Sequence, residues 1–263
     1  MRIVADNLQA IRPEIYKAIE RFDPEPIQEL VIRSVQAGVD GLDINPGPLG
    51  QDPEKKMVFL VETVQEVTDK TLFLDTTNPI ALRAGLKVAK NSVVINGFSL
   101  EPKKVEQILP LALQFDADIV GYLLLPNGHV PTGYEERLNI AVELYSVFQG
   151  SGLPPEKLII DPVVVPAIWE DGLKQNQGVL SVIQTLPDVL GLHVKTVVGL
   201  SNLSAGNASK EKKRLLEMAY LPMLAYSGVS TVLLNAFRPD IIKIARSCAL
   251  LLSSKIITWE EVP

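Results

Sequence analysis

The sequence predicts a single (β/α)8 barrel of the TIM type, with residues 1–263 forming one domain. Three observations carry that expectation. Eight short runs rich in Val, Ile and Leu recur along the chain, segments of helical period separate them, and 263 residues match the ~250 typical of the fold.

The runs are RIVAD (2–6), GLDI (41–44), TLFLD (71–75), SVVIN (92–96), DIVGYLLL (118–125), KLIID (157–161), KTVVGLS (195–201) and STVLLN (230–235). They are apolar nearly throughout instead of alternating, as parallel strands covered on both faces are. After the first run, Ile27, Leu30, Val31, Ser34 and Val35 keep one helical face. After the second, Met57, Leu60, Val61, Val64 and Val67 do the same behind the start DPEKK. Further helices are expected over NPIALRAGLKVAK (78–90), EPKKVEQILPLALQFD (101–116), YEERLNIAVELYSVF (134–148), QGVLSVIQTLPDVL (177–190), EKKRLLEMAYLPML (211–224) and PDIIKIARSCALLL (239–252). An additional helix near Pro13 to Arg21 precedes the first main one. An open doubly wound sheet usually has fewer strands or a visible second domain, and no low-complexity linker divides this chain.

Composition narrows the function. With 47% hydrophobic and 21% charged residues the make-up is ordinary for a globular protein. A net charge of -6, with KEKKR (210–214) as the longest basic run, argues against a nucleic-acid surface and for small-molecule or protein partners. The single cysteine, Cys248, cannot form an internal disulfide and reads as a small core residue, which fits a reducing, cytoplasmic setting. The N-terminus has no apolar stretch of signal-peptide length. Met218 to Phe237 is uncharged and long enough to span a membrane, but Pro222 and the turn-like SGVS (227–230) make it a helix end followed by a strand.

The strand ends share a chemistry. Asp43 and Asn45 follow strand two, Asp75 strand three, Asn96 strand four, Asp161 strand six, Asn202 strand seven and Asn235 strand eight. In a (β/α)8 barrel all of these meet at one rim, around the central mouth. Short Asp and Asn side chains can also cap the next helix or shape a turn, and the neighbouring turn residues favour that local role for Thr76, Asn78 and Ser99. Three carboxylates and several amides, without a Lys, Arg or His at those ends, suit a neutral ligand rich in donors. A carboxylate accepts two parallel hydrogen bonds from an amino group and an adjacent ring N–H, so the guanidine-like edge of a pterin fits.

Other chemistries lack their residues. Lys70 and Lys195 precede their strands, so neither is placed for a Schiff base. The two histidines, His129 and His193, have no partner at metal-ligand spacing, and no metal site is expected. His193 falls away from the mouth; His129 lies on a mouth-side loop as a solvated residue. GLSNLSAGN lacks the close glycine spacing of a phosphate cradle.

The series GLDINPGP, FLDTTN, VVINGFS, LIIDPVV and VVGLSNLS resembles the pterin-binding methyltransferases that move a methyl group between methyltetrahydrofolate and a corrinoid protein. The likeness extends over nearly the whole chain, strands one to eight in order. It implies that Asp75, Asn96 and Asp161 hold the pterin ring, with Asp161 on the amino-pyrimidine edge, and that Asp43 lies lower and orders this network. It also implies that Asn202, the catalytic candidate, lies close to N5, and that the nucleophile is a reduced cobalamin (corrinoid) cobalt carried by another protein. Tetrahydrofolate is then a substrate, and a homodimer the expected assembly.

Two stretches depart from the family. Where a G-E-R-x-N stretch is usual, this chain has ADNLQ (5–9), so that Asp6, Asn7 and Gln9 replace Glu, Arg and Asn. After Asn202, SAGNASK has small residues in place of a pterin-contacting Gln, leaving Lys210 as a substitute basic group. The rival reading is dihydropteroate synthase, which resembles the chain at the same strand ends but carries Ser-Arg-Lys and Arg-x-His where this chain has GLSNLS and LLNAF. A non-catalytic barrel that docks a corrinoid protein is the rival of another class.

Overall fold

The computed structural model describes all residues, 1–263. Eight strands, β1 (Arg2–Gln9), β2 (Gly41–Asn45), β3 (Thr71–Leu74), β4 (Val93–Phe98), β5 (Asp118–Tyr122), β6 (Leu158–Asp161), β7 (Lys195–Gly199) and β8 (Thr231–Leu234), pair in chain order and in parallel, and β8 returns to β1 to close the barrel.

Around it run α1 (Pro13–Arg21), α2 (Glu25–Gln36), α3 (Pro53–Gln65), α4 (Pro79–Val88), α5 (Pro102–Gln107), α6 (Leu109–Phe115), α7 (Tyr134–Gly150), α8 (Gly172–Leu190), α9 (Leu200–Leu203), α10 (Lys210–Tyr226) and α11 (Pro239–Leu251). Pro13, Pro53, Pro79 and Pro239 each stand at a helix start, where the missing N–H costs nothing and φ is already helical. Asn78 caps α4 by accepting from the Ile80 and Ala81 amides, and Thr76 accepts from the Asn78 amide, the local roles expected for them.

Some boundaries differ from expectation. The helix expected over 101–116 breaks at Ile108 into α5 and α6, just before Pro110. In α10, Pro222 forgoes a bond to the Met218 carbonyl, yet the helix continues to Tyr226 because Tyr220, Leu221, Leu224 and Ala225 are buried against the barrel. Cys248 is half-buried instead of lying in the core: the buried stripe of α11 is Ile241, Ile242 and Ala245 and stops one turn earlier. No helix is long and apolar enough to cross a membrane.

Two apolar layers result from strand alternation. One set of side chains, such as Leu72, Leu74, Ile95, Ile119 and Ile160, packs outward in the large cluster under the helices. The opposite set, Val4, Phe73, Val94, Val120, Ile159 and Val197, forms a separate six-residue cluster that plugs the lumen. Because side chains on one face of a strand recur every second residue, the next inward position on each of these strands is fixed. Those positions are Asp6, Asp75, Asn96, Tyr122, Asp161 and Gly199. Polar chemistry thus lies one layer above an apolar floor.

Candidate active site

A cavity of about 190 Å³ opens above the lumen plug at the C-terminal ends of the strands. It brings together Asp43, Asn45, Asp75, Asn96, Asp161 and Asn202, which sequence spacing had assigned to one rim. Asn235, also expected there, instead bonds to Asn7 and lines an adjoining cavity. Asp43 pairs in register with Phe73, one layer below Asp75, which accounts for its depth.

The polar groups hold one another. Asn96 Nδ2 donates to Asp43 Oδ1 at 3.1 Å, and the Tyr122 hydroxyl donates to Asn96 Oδ1 at 2.7 Å. Asn45 Nδ2 donates to Asp75 Oδ2 at 2.6 Å, while its own Oδ1 accepts from the Gly47 amide. Asp161 Oδ1 accepts from the Val163 amide at 2.8 Å. That bond accompanies a φ of 64° at Val163, a conformation costly for a β-branched residue. The strain is held from behind: the fully buried Arg137 of α7 donates Nε to the Pro162 carbonyl at 3.2 Å and Nη2 to Gln175 Oε1 at 3.1 Å.

Burial raises the acids. Asp161 is pushed up to about 7 by burial, against the Val163 amide, which favours its carboxylate. Asp75 rises to about 6 for the same reason, with the Asn45 hydrogen bond and then Lys104 opposing. Asp43 lies well above the ordinary carboxylate range, first through burial and next through the charge of Asp75. The Tyr122 hydroxyl is likewise held up by burial and by the three nearby aspartates. A ligand N–H placed against any of these three aspartates would favour its carboxylate.

Strand β1 contributes more than its sequence suggested. Its register against β2 slips between Ala5 and Leu8, while ordinary alternation sends Asp6 and Asn7 to different sides. Asp6 lines the mouth and accepts from Ser201 Oγ at 2.9 Å. Asn7 reaches across to β8, donating to Asn235 Oδ1 at 2.8 Å and accepting from the Ala236 amide at 2.7 Å. Gln9 also lines the mouth. A similar slip in β4 follows Asn96, where Phe98 pairs with Gly121.

Asn202 lies exposed on α9, the single turn after β7. The N-cap of that turn is Gly199, without any side-chain bond, so Asn202 is not spent as a cap. A Cβ at Gly199 would stand 3.1 Å from Asn202 Nδ2, so glycine leaves room for the amide.

Cations come closer than the strand ends implied. A second cavity of about 670 Å³ shares Asp6, Gln9 and Ser201 with the mouth, and Lys210, Lys213, Arg214 and Arg238 line it. Arg238 is paired with Glu217 at 2.6 Å and Arg214 with Asp240 at 2.7 Å. Lys210 therefore lies beside the mouth and does not line it. His129 is exposed on the loop after β5, and His193 is exposed ahead of β7. Lys195 is paired with Asp118 at 2.9 Å, at the start of their strands and far from the mouth.

Tyr122, Asp6 and Ser201 were missed as site residues. Tyr122 sits inside an apolar run as though it were core, but its register partner is Asp161, which places it at the height of the site. Counting two positions up from each lumen residue would have found Tyr122 and Asp6.

Fold and site together define a closed (β/α)8 barrel whose mouth is lined by carboxylates and amides. Residues 14–235 match the sequence profile of the family described as pterin binding enzyme, and the chain belongs to that family. It is similar to a methylcorrinoid:tetrahydrofolate methyltransferase of Eubacterium limosum, at 24% identity over 245 residues, covering 91% of this chain and 87% of the relative. Among solved structures it is similar in fold to a dihydropteroate synthase of Xanthomonas albilineans with 4-aminobenzoic acid (TM-score 0.69, 17% identity, 96% and 93% of the two chains). The 7,8-dihydropteroate synthase of Vibrio fischeri is another (TM-score 0.67, 16% identity, 97% and 94%).

Proposed function

We propose that this protein moves a methyl group between N5 of a tetrahydrofolate and the cobalt of a corrinoid carried by a separate protein. The observation that carries this reading is the mouth itself, where Asp75, Asn96 and Asp161 ring one cavity with an unspent amide, Asn202, at its edge. The name of the Eubacterium limosum relative supports the same reaction.

In this reading Asp161 accepts from the amino group and ring N–H of the pterin, Asn96 and Asp75 bind the remaining edge, and Asp43 holds Asn96 in place. An N-methyl amine leaves poorly unless N5 is stabilised as the C–N bond breaks. Asn202 donates a hydrogen bond, directly or through water, that strengthens as N5 becomes more basic. The corrinoid is a substrate brought by its own carrier, so the chain needs no nucleophile. The same groups serve either direction; the relative's name runs it toward tetrahydrofolate. The homodimer, which rests on the family resemblance, and the cytoplasmic setting, which rests on the single cysteine, belong to this reading.

The test is incubation with methyltetrahydrofolate and reduced free cobalamin while the cobalt spectrum is followed. Formation of methylcobalamin is expected, and an unchanged spectrum refutes the reading and leaves a non-catalytic pterin-binding barrel. A second reading, dihydropteroate synthesis, draws on the cations of the adjoining cavity. Two of the four are already in ion pairs, leaving less charge for a diphosphate leaving group. Condensation of a pterin diphosphate with 4-aminobenzoate would establish it instead.

A further inference from the structure

Methyl transfer at N5 also moves a proton. When a methyl group reaches N5 of tetrahydrofolate, the proton on that nitrogen must leave; in the reverse reaction N5 must gain one. Asn202 is an amide and can do neither. Asp43, Asp75 and Asp161 accept from Asn96, Asn45 and the Val163 amide, and in the reading above they hold the pterin edge and its supports.

Asp6 is the fourth carboxyl of the mouth. It is nine-tenths buried and bonded to a hydroxyl, Ser201 Oγ at 2.9 Å, and Ser201 directly precedes Asn202 on α9. Both residues also face the second cavity, whose lining includes no hydrophobic residue. At ~30 Å³ per molecule, its volume holds on the order of twenty waters. Asp6 and Ser201 therefore stand where the mouth meets the second, wholly polar cavity.

We propose that Asp6 and Ser201 form a proton relay linking N5 of the folate to the second cavity; this rests on the methyl-transfer reading. Toward tetrahydrofolate, the N5–CH3 bond forms and the cobalt–carbon bond breaks with its electron pair left on cobalt. The N5 proton passes to Ser201 Oγ as the Ser201 hydroxyl proton passes to Asp6 Oδ2, and Asp6 releases it into the second cavity. From methyltetrahydrofolate to reduced cobalt each transfer reverses, and Asp6 is the acid.

The surroundings suit that task. Burial pushes Asp6 up to about 6; the Ser201 hydrogen bond opposes this, Glu217 adds to the rise, and Arg12 lowers it. A carboxyl poised there exchanges protons near neutrality. Asp43 from β2 and Glu217 from α10 are the acids that interact with it. Glu217 is itself held by Ser204 and Arg238. Lys210, Glu211, Lys213 and Arg214 line the cavity beyond.

Single-turnover transfer from methyltetrahydrofolate to reduced free cobalamin, followed across the pH range, tests the relay. The wild type should slow as the pH rises through about 6, because Asp6 then loses the proton it must give. Asp6→Asn should lower the rate ~100-fold or more and abolish that limb, while Asp6→Glu should restore both. Ser201→Ala should slow transfer at least ~10-fold, with pterin affinity by calorimetry little changed. An Asp6→Asn protein with the wild-type rate and pH limb overturns the relay. Should that variant not fold, Ser201→Ala, altered at an exposed position, decides: a normal rate overturns it equally. A wild type that transfers no methyl group fails the functional reading itself, a result distinct from active wild type with active variants, and the relay falls with it.

Discussion

The Tyr122 hydroxyl donates to Oδ1 of Asn96 at 2.7 Å, and Nδ2 of the same amide donates to Asp43 at 3.1 Å. The Asn96 amide is thereby oriented from both ends, leaving one N–H and one lone pair for a ligand. Tyr122→Phe removes only the donor. Pterin affinity should fall by about 1 kcal/mol, roughly fivefold, with folding preserved. Calorimetry showing wild-type affinity would mean that Asn96 is oriented by Asp43 alone.

Asp161→Ala should weaken pterin or folate binding far more, by about 2 to 5 kcal/mol, because a charge-assisted bidentate acceptor is lost inside a buried site. Unchanged affinity in a folded variant would remove Asp161 from the ring.

Asn202→Ala should separate chemistry from binding. If its hydrogen bond forms fully only as the methyl leaves, the single-turnover rate should drop roughly 100 to 1000-fold while affinity changes little. A normal rate in the folded fraction excludes Asn202 from the reaction.

The raised acids predict an unusual pH response. Asp75 at about 6 and Asp161 at about 7 keep their protons to higher pH than the 3.8 of an unfolded chain, as does Asp43. Between about 4 and 7 the folded state binds more protons than the unfolded one, so the unliganded protein loses stability as the pH rises through that window. Asp161→Asn should accordingly stabilise the empty protein above neutrality by on the order of 1–3 kcal/mol, measured by urea unfolding. Pterin binding should run the other way, tightening as the pH rises through about 7, since the ligand's donors want the carboxylate. A flat stability profile would contradict the burial argument.

Eight strands and most helices were legible because apolar runs and helical period report burial, and burial is what a closed barrel imposes on every strand. The rim residues Asp43, Asp75, Asn96, Asp161 and Asn202 were legible because a charged or amide group ending an apolar run is conspicuous. Asp6 obeys the two-residue period from Val4, but it lies inside β1, three residues before the strand ends, where a rim residue is not looked for. Tyr122 was hidden by its own chemistry, an aromatic ring that passes for core until its hydroxyl finds Asn96. The bond from Arg137 to the Pro162 carbonyl was beyond reach, since a buried guanidinium on a helix looks from the sequence like a surface charge. The cations of the second cavity come from the first turns of α10 and the turn after β8, where spacing along the chain says nothing about which way a side chain folds back.

The seam between β1 and β8 has a consequence for synthesis. Arg2 pairs with Thr231 and Ala5 with Leu234, and Asn7 meets Asn235 from 228 residues away. At ~5–20 residues per second, the first strand waits roughly ten to fifty seconds on the ribosome for its partner. Through that interval it is an open edge, hydrophobic and ready to pair wrongly, in a topology that folds slowly because its last contact is its longest. Asp6 belongs to the first strand made, whereas Ser201, its hydrogen-bond partner, is translated nearly two hundred residues later. Both cavities therefore come into being only with the finished ring. On the proposed reading, a pterin added to nascent chains should stabilise completed barrels only, since an incomplete one offers it nothing to grip.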